Sequence, residues 1–212
     1  MKAIKLMTAL ATLGIMPLSL HAMSMAYDFT GGPAIMTARS FTEGGVTLDV
    51  TAQTEFGDDI FVSQNMNAGI GACLTLTDCG AGMADTPQLD SVGPDEILSF
   101  SVSGGSLILD GFLFGAYNVT NLDRDNFELV VDGVSITNGA FNPGANPWSV
   151  FADFGTLVVN SSFSIRALEV NGVKSSFRIT ELYATKLAEP GTLGMLLFGL
   201  AAIGLIRRRK SH

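Results

Sequence analysis

The side chains that most often carry catalysis are scarce in this sequence. Its only two histidines are His21 and His212, close to the two ends, so residues 27–187 contain none. That excludes Ser-His-Asp and Cys-His nucleophilic catalysis, histidine general-base chemistry and histidine-ligated zinc from the body of the chain. The two cysteines, Cys73 and Cys79, have five residues between them. With no further Cys or His to complete a metal or redox set, the expected chemistry is a disulfide closing the loop 74–78. So short a loop makes it worth about 2 kcal/mol.

Carboxylates remain. Asp123-Arg124-Asp125-Asn126 is one cluster, and Asp85, Asp90, Asp95 and Glu96 form a second. Oxygen ligands from loops at one end of a β-domain can hold Ca²⁺, with Asp123 and Asp125 as the candidate ligands; no other cofactor is suggested. The plainer reading is that an acidic chain places solvated Asp in its turns. A glycosidase needs two carboxylates across a cleft, and a chain this acidic offers too many such pairs to single one out. Trp148, the only Trp, lies in Asn146-Pro-Trp-Ser149. Exposed, it could stack on a sugar ring; beside Val150, Phe151 and Phe154, core or loop packing is the commoner role.

These residues must be positioned by strands. Glu96–Val102 alternates Leu98, Phe100 and Val102 against Ser99 and Ser101, a period of two. Two further pairs of runs flank the dipeptides Asp132-Gly133 and Asn171-Gly172, at 127–131 with 134–137 and at 162–170 with 173–185. Asp-Gly and Asn-Gly favour type I′ turns, where both central residues need positive φ, so each pair is expected to be a hairpin. Strands are also expected at 46–52, 60–64, 69–76, 106–117 and 155–160. No window between the terminal stretches supports an amphipathic helix. The fold class expected is therefore all-β, a two-sheet sandwich of jelly-roll type over residues 27–187.

The charge divides along the chain. Lys2 and Lys5 open it and Arg207, Arg208, Arg209 and Lys210 close it. Between Tyr27 and Glu189 six basic residues face all 20 acidic ones, a net of −14. Nucleic-acid binding through phosphate contacts needs a basic patch, so no nucleic-acid partner is expected. At the N-terminus, Met1–Lys5 is a short positive region followed by an apolar stretch from Leu6 to Leu20 and small residues at Ala22, Ser24 and Ala26. That is the order of a secretory signal helix over 1–26, cut by signal peptidase somewhere in 22–26, with Ser24-Met25-Ala26 fitting the small-x-small rule best.

At the C-terminus, Ala188-Glu-Pro-Gly191 precedes an uncharged run from Thr192 to Ile206 and then Arg207-Arg208-Arg209-Lys210. The run is about 15 residues, a short transmembrane helix of roughly 22 Å. Basic residues stay on the cytoplasmic side, so both ends place residues 27–187 outside the cell. Pro190 stops the helix from extending outward and leaves an extended peptide at the membrane surface.

This three-part tail resembles the PEP-CTERM sorting signal of Gram-negative bacteria, although the first position of the name-giving motif is Ala188 rather than Pro. Gly69–Cys73, Asp90–Phe100 and Asp125–Gly133 are also similar to the bodies of many such proteins. The resemblance implies an exosortase as processing partner, with Ala188, Glu189, Pro190 and Gly191 as the cleavage region and Arg207, Arg208 and Arg209 fixing topology. It further implies a transient inner-membrane intermediate and a final place at the cell surface or in an exopolysaccharide and biofilm matrix; the lack of histidine makes a domain without enzymatic activity the expectation. The alternative reading is a carbohydrate-binding or adhesive module, calcium-assisted or not. A third, a carboxylate-based polysaccharide hydrolase, would release product from the host polymer.

Overall fold

The computed structural model describes residues 23–77, 79, 88–115, 126–140, 149–172 and 174–187. These hold fourteen strands and no helix. In chain order they are β1 (Met23–Asp28), β2 (Ala34–Met36), β3 (Ala38–Glu43), β4 (Val46–Thr54), β5 (Asp59–Asn65), β6 (Gly69–Cys73) and β7 (Leu89–Asp90). The second half holds β8 (Glu96–Ser103), β9 (Leu107–Gly115), β10 (Asn126–Val131), β11 (Val134–Ala140), β12 (Ser149–Val159), β13 (Ser162–Leu168) and β14 (Ser176–Lys186). The all-β expectation holds. The short transmembrane helix and residues 1–22 of the signal helix fall outside the described residues, whereas residues 23–26 of that expected helix are strand.

The strands pair in the order β11-β10-β13-β8-β4-β5-β6-β14-β9-β12, with β3 on β4, β2 on β5, and β1 and β7 on β14. All these pairings are antiparallel. The sheet curls into two layers, and β5 is the corner. Its first residues, Asp59 and Ile60, pair with β4, and from Phe61 onward it pairs with β6. The sandwich-like body is thus one continuous hydrogen-bonded sheet rather than two separate ones.

Alternation explains which residues fill the space between the layers. In β4 the pattern buries Val46, Leu48, Val50 and Ala52; in β8 it buries Leu98 and Phe100. Phenylalanines bridge the gap. Phe100 of β8 stacks on Phe163 of β13 with centroids 4.5 Å apart, and both meet Phe112 of β9 across the layers, at 6.3 and 5.8 Å. Phe127 of β10 meets Phe114 of β9 at 5.4 Å and Phe154 of β12 at 5.9 Å. Such pairs add about 0.5–1.5 kcal/mol each beyond the area they bury.

Of the two anticipated hairpins, one forms and one does not. Asp132 (φ 47°) and Gly133 (φ 82°) make the tight turn that pairs Val131 with Val134. Asn171 (φ 53°) and Gly172 (φ 76°) also reverse the chain, yet β13 pairs with β8 and β10 whereas β14 pairs with β9, β1, β6 and β7. The cause lies just after the turn. Ser175, fully buried, donates its hydroxyl to the Leu168 carbonyl at 2.6 Å, and its amide donates to the Ser91 hydroxyl at 2.9 Å. Those bonds hold the chain at the seam between layers, so β14 enters the layer opposite β13.

Candidate functional site

The tail follows β14, which pairs with four other strands. One edge of it is taken entirely by β9, from Arg178 to Lys186. The other is shared in succession by β7 at 176–177, β6 at Ile179 and β1 at 181–186. After Lys186, the Leu187 amide still donates to the Ser106 carbonyl at 3.0 Å, and the Lys186 ammonium reaches the Gly44 carbonyl at 3.3 Å. The described chain stops there, one residue before Ala188. Ala188, Glu189, Pro190, Gly191, the apolar run from Thr192 to Ile206 and Arg207, Arg208 and Arg209 lie outside the described residues. Among the described residues no helix is long and apolar enough to cross a membrane.

The strand on the far edge of β14 was not anticipated. Residues 23–26, assigned from sequence to the signal segment, form the first two thirds of β1, with Met23 opposite Lys186 and Asp28 opposite Glu181. Met25 and Tyr27 alternate into the core, and the Tyr27 hydroxyl donates to the Val46 carbonyl at 3.2 Å. Burial, and then the charge of Glu43, push the Tyr27 phenol up to about 12. The available signal was the period-two placement of Met25, Tyr27 and Phe29, which continues past the small residues of the expected cut.

Cys73 and Cys79 form the anticipated disulfide, Cα atoms 5.7 Å apart. It sits beside a cavity of about 220 Å³ lined by Pro33, Ile35, Ser63, Gln64, Cys79 and Arg178 among others. Sequence reasoning missed this place, because nothing local distinguishes Gln64 or Arg178. Arg178 is fully buried, in a run of three buried residues where both faces of β14 are covered. Its Nη2 donates to the Ser63 carbonyl and hydroxyl at 3.3 and 3.1 Å and to the Gly69 carbonyl at 3.2 Å. Gln64, 5% exposed, donates to the Phe29 carbonyl at 3.0 Å, while its own buried Oε1 has no hydrogen-bond partner among the described residues. The cavity lining therefore includes hydroxyl, amide and guanidinium groups, of which the Ser63 hydroxyl and the Arg178 guanidinium bond each other.

The carboxylates divide. Asp123, Asp125, Asp85 and Trp148 lie outside the described residues. Asp90 and Glu96 are buried, and both serve the loop between them: Glu96 accepts from the Asp90 amide at 3.0 Å, and Asp90 accepts from the Val92 amide at 2.8 Å. Asp95 is held above the ordinary carboxylate range, by burial first and then by the charge of Glu55. Among the described residues no group of three or more His, Cys, Asp or Glu comes together as a metal site.

Residues 189–210 match the family described as the PEP-CTERM protein-sorting motif, starting at the Glu-Pro pair and ending in the basic cluster. No curated protein matches the chain. The C-terminal segment that follows β14 is thus a PEP-CTERM sorting signal, and the chain that carries it is an exported protein.

Proposed function

We propose that this protein is a non-catalytic β-domain exported across the inner membrane, cut at its tail by an exosortase and delivered to the cell surface or the exopolysaccharide matrix. The observation that carries the reading is the match of residues 189–210 to the sorting motif, directly behind the last strand. Ala188, Glu189, Pro190 and Gly191 are the cleavage region in this reading. The apolar run halts transfer, and Arg207, Arg208 and Arg209 hold their end inside by the positive-inside rule. The absence of histidine from residues 27–187 supports the lack of catalysis. The test is the intact mass of the protein from native cells with and without the candidate exosortase. A species ending near Glu189 only when the protease is present supports the reading. A species that keeps residues 190–212 in both strains makes the tail an ordinary anchor.

A second reading, a carbohydrate-binding module, is favoured by the cavity beside the disulfide. Hydroxyl donors of a sugar match the Gln64 carbonyl oxygen, which has no partner among the described residues and lies in the lining of that cavity. Binding on a glycan array that Gln64→Leu abolishes, with and without a chelator, distinguishes this module and any calcium dependence from a purely structural matrix protein.

A further inference from the structure

Three small residues compete for the signal-peptidase cut: Ala22, Ser24 and Ala26. Local spacing favours Ala26, because Ser24 and Ala26 stand one residue apart. The folded domain points elsewhere. A cut after Ala26 would delete Met23–Ala26, four of the six residues through which β1 pairs with β14. It would also empty the place of Met25, 5% exposed, and put a charged α-amino group on Tyr27, which is fully buried. A cut after Ser24 would put the same charge on buried Met25. Buried there, an ammonium group would keep at most one strand carbonyl opposite it, too little to offset its lost hydration. Met23 is different, being 52% exposed, so a charged terminus there stays hydrated. Met23 also belongs to the fold. Its side chain lies with that of Met25 against Gly44, where an added Cβ would come within 3.3 Å of Met23 and 2.5 Å of Met25.

We propose that signal peptidase cuts between Ala22 and Met23, so that the mature chain begins with the first residue of β1. Water adds across that amide, leaving a carboxylate on Ala22 and an ammonium group on Met23. Ala22 supplies the small residue before the scissile bond, two residues after the apolar stretch ends at Leu20. Because β1 and β14 run antiparallel, the new N-terminus lies opposite Lys186, two residues before the tail begins. Both processing points therefore leave the domain at one corner, and the finished N-terminal strand clasps the strand from which the sorting signal departs.

This assignment rests on the export reading, and N-terminal sequencing of the protein from native cells separates the two. Wild type is expected to begin at Met23. Ala26→Phe is expected to begin there too, since Ala26 is exposed on β1, and Ala22→Phe to lose that species. A wild-type chain beginning at Met25 or Tyr27, or loss of the Met23 species in Ala26→Phe, overturns the assignment and leaves export standing. A chain that retains residues 1–22 overturns both.

Discussion

Asp132 occupies one central position of the β10–β11 turn, and its carboxylate accepts five hydrogen bonds from the neighbouring turn between β12 and β13. The donors are the Asn160 amide and side chain, the Ser161 amide and hydroxyl, and the Ser162 amide, at 2.9 to 3.2 Å. Burial alone would raise its pKa, but those donors hold the carboxyl well below the usual range. A depressed carboxylate contributes stability that is complete above its unfolded pKa of about 3.9 and is lost as pH falls below that. Asp132→Asn should therefore cost about 1–2 kcal/mol at pH 7, the low end for charge-assisted bonds because the group is exposed, and the cost should shrink toward pH 3. Denaturant unfolding at the two pH values measures it. The same method with and without reductant should show about 2 kcal/mol for the Cys73–Cys79 bond, since the loop it closes is short. Sequence made the disulfide legible, because spacing and the lack of other ligands sufficed. The Asp132 clamp was not legible, because its partners come from another turn about 28 residues on.

At the scale of elements, two glycines test how strands are placed. Gly133 has φ 82° with open space around it, so Gly133→Ala meets only the left-handed backbone penalty, about 1 kcal/mol. Gly69 has φ 76°, and an added Cβ would land 2.0 Å from the Ile179 carbonyl of β14. Gly69→Ala should cost clearly more than Gly133→Ala, since β6 must move off β14; thermal unfolding of the two variants side by side checks the order. The core offers a third comparison. Phe100, fully buried and stacked on Phe163, should lose about 3–5 kcal/mol on change to Ala, whereas exposed Phe56 should lose almost nothing. Alternating strands and the Asp-Gly turn could be read from sequence because both are local. The β13–β14 pairing could not, because Ser175 diverts the chain through bonds to Ser91 and Leu168.

In the whole molecule the acidic body and the basic tail are separated along the chain, and the proposed sorting puts them on opposite sides of the inner membrane. Replacing Arg207, Arg208 and Arg209 with Glu should leave the folded domain unchanged in thermal unfolding while sharply reducing the tail-processed species in cells, because the orienting charge is gone. A variant that is processed normally would show that the basic cluster does not set topology. In the proposed processing, the short link from Lys186 to Glu189 makes the protease work close to the end of β14 and the β1 edge beside it.

The all-β class, the disulfide and the nature of the sorting tail could all be read from short stretches of residues. Each depends on neighbours along the chain: a period of two, a pair of cysteines, a motif followed by an apolar run and charge. The tertiary structure alone reveals that one sheet curls through β5, that residues 23–26 pair with β14, and that Gln64 and Arg178 line one cavity beside the disulfide. Those features are set by which strand edge remains open and which buried group must find a partner, and neither condition is written in any short window of residues.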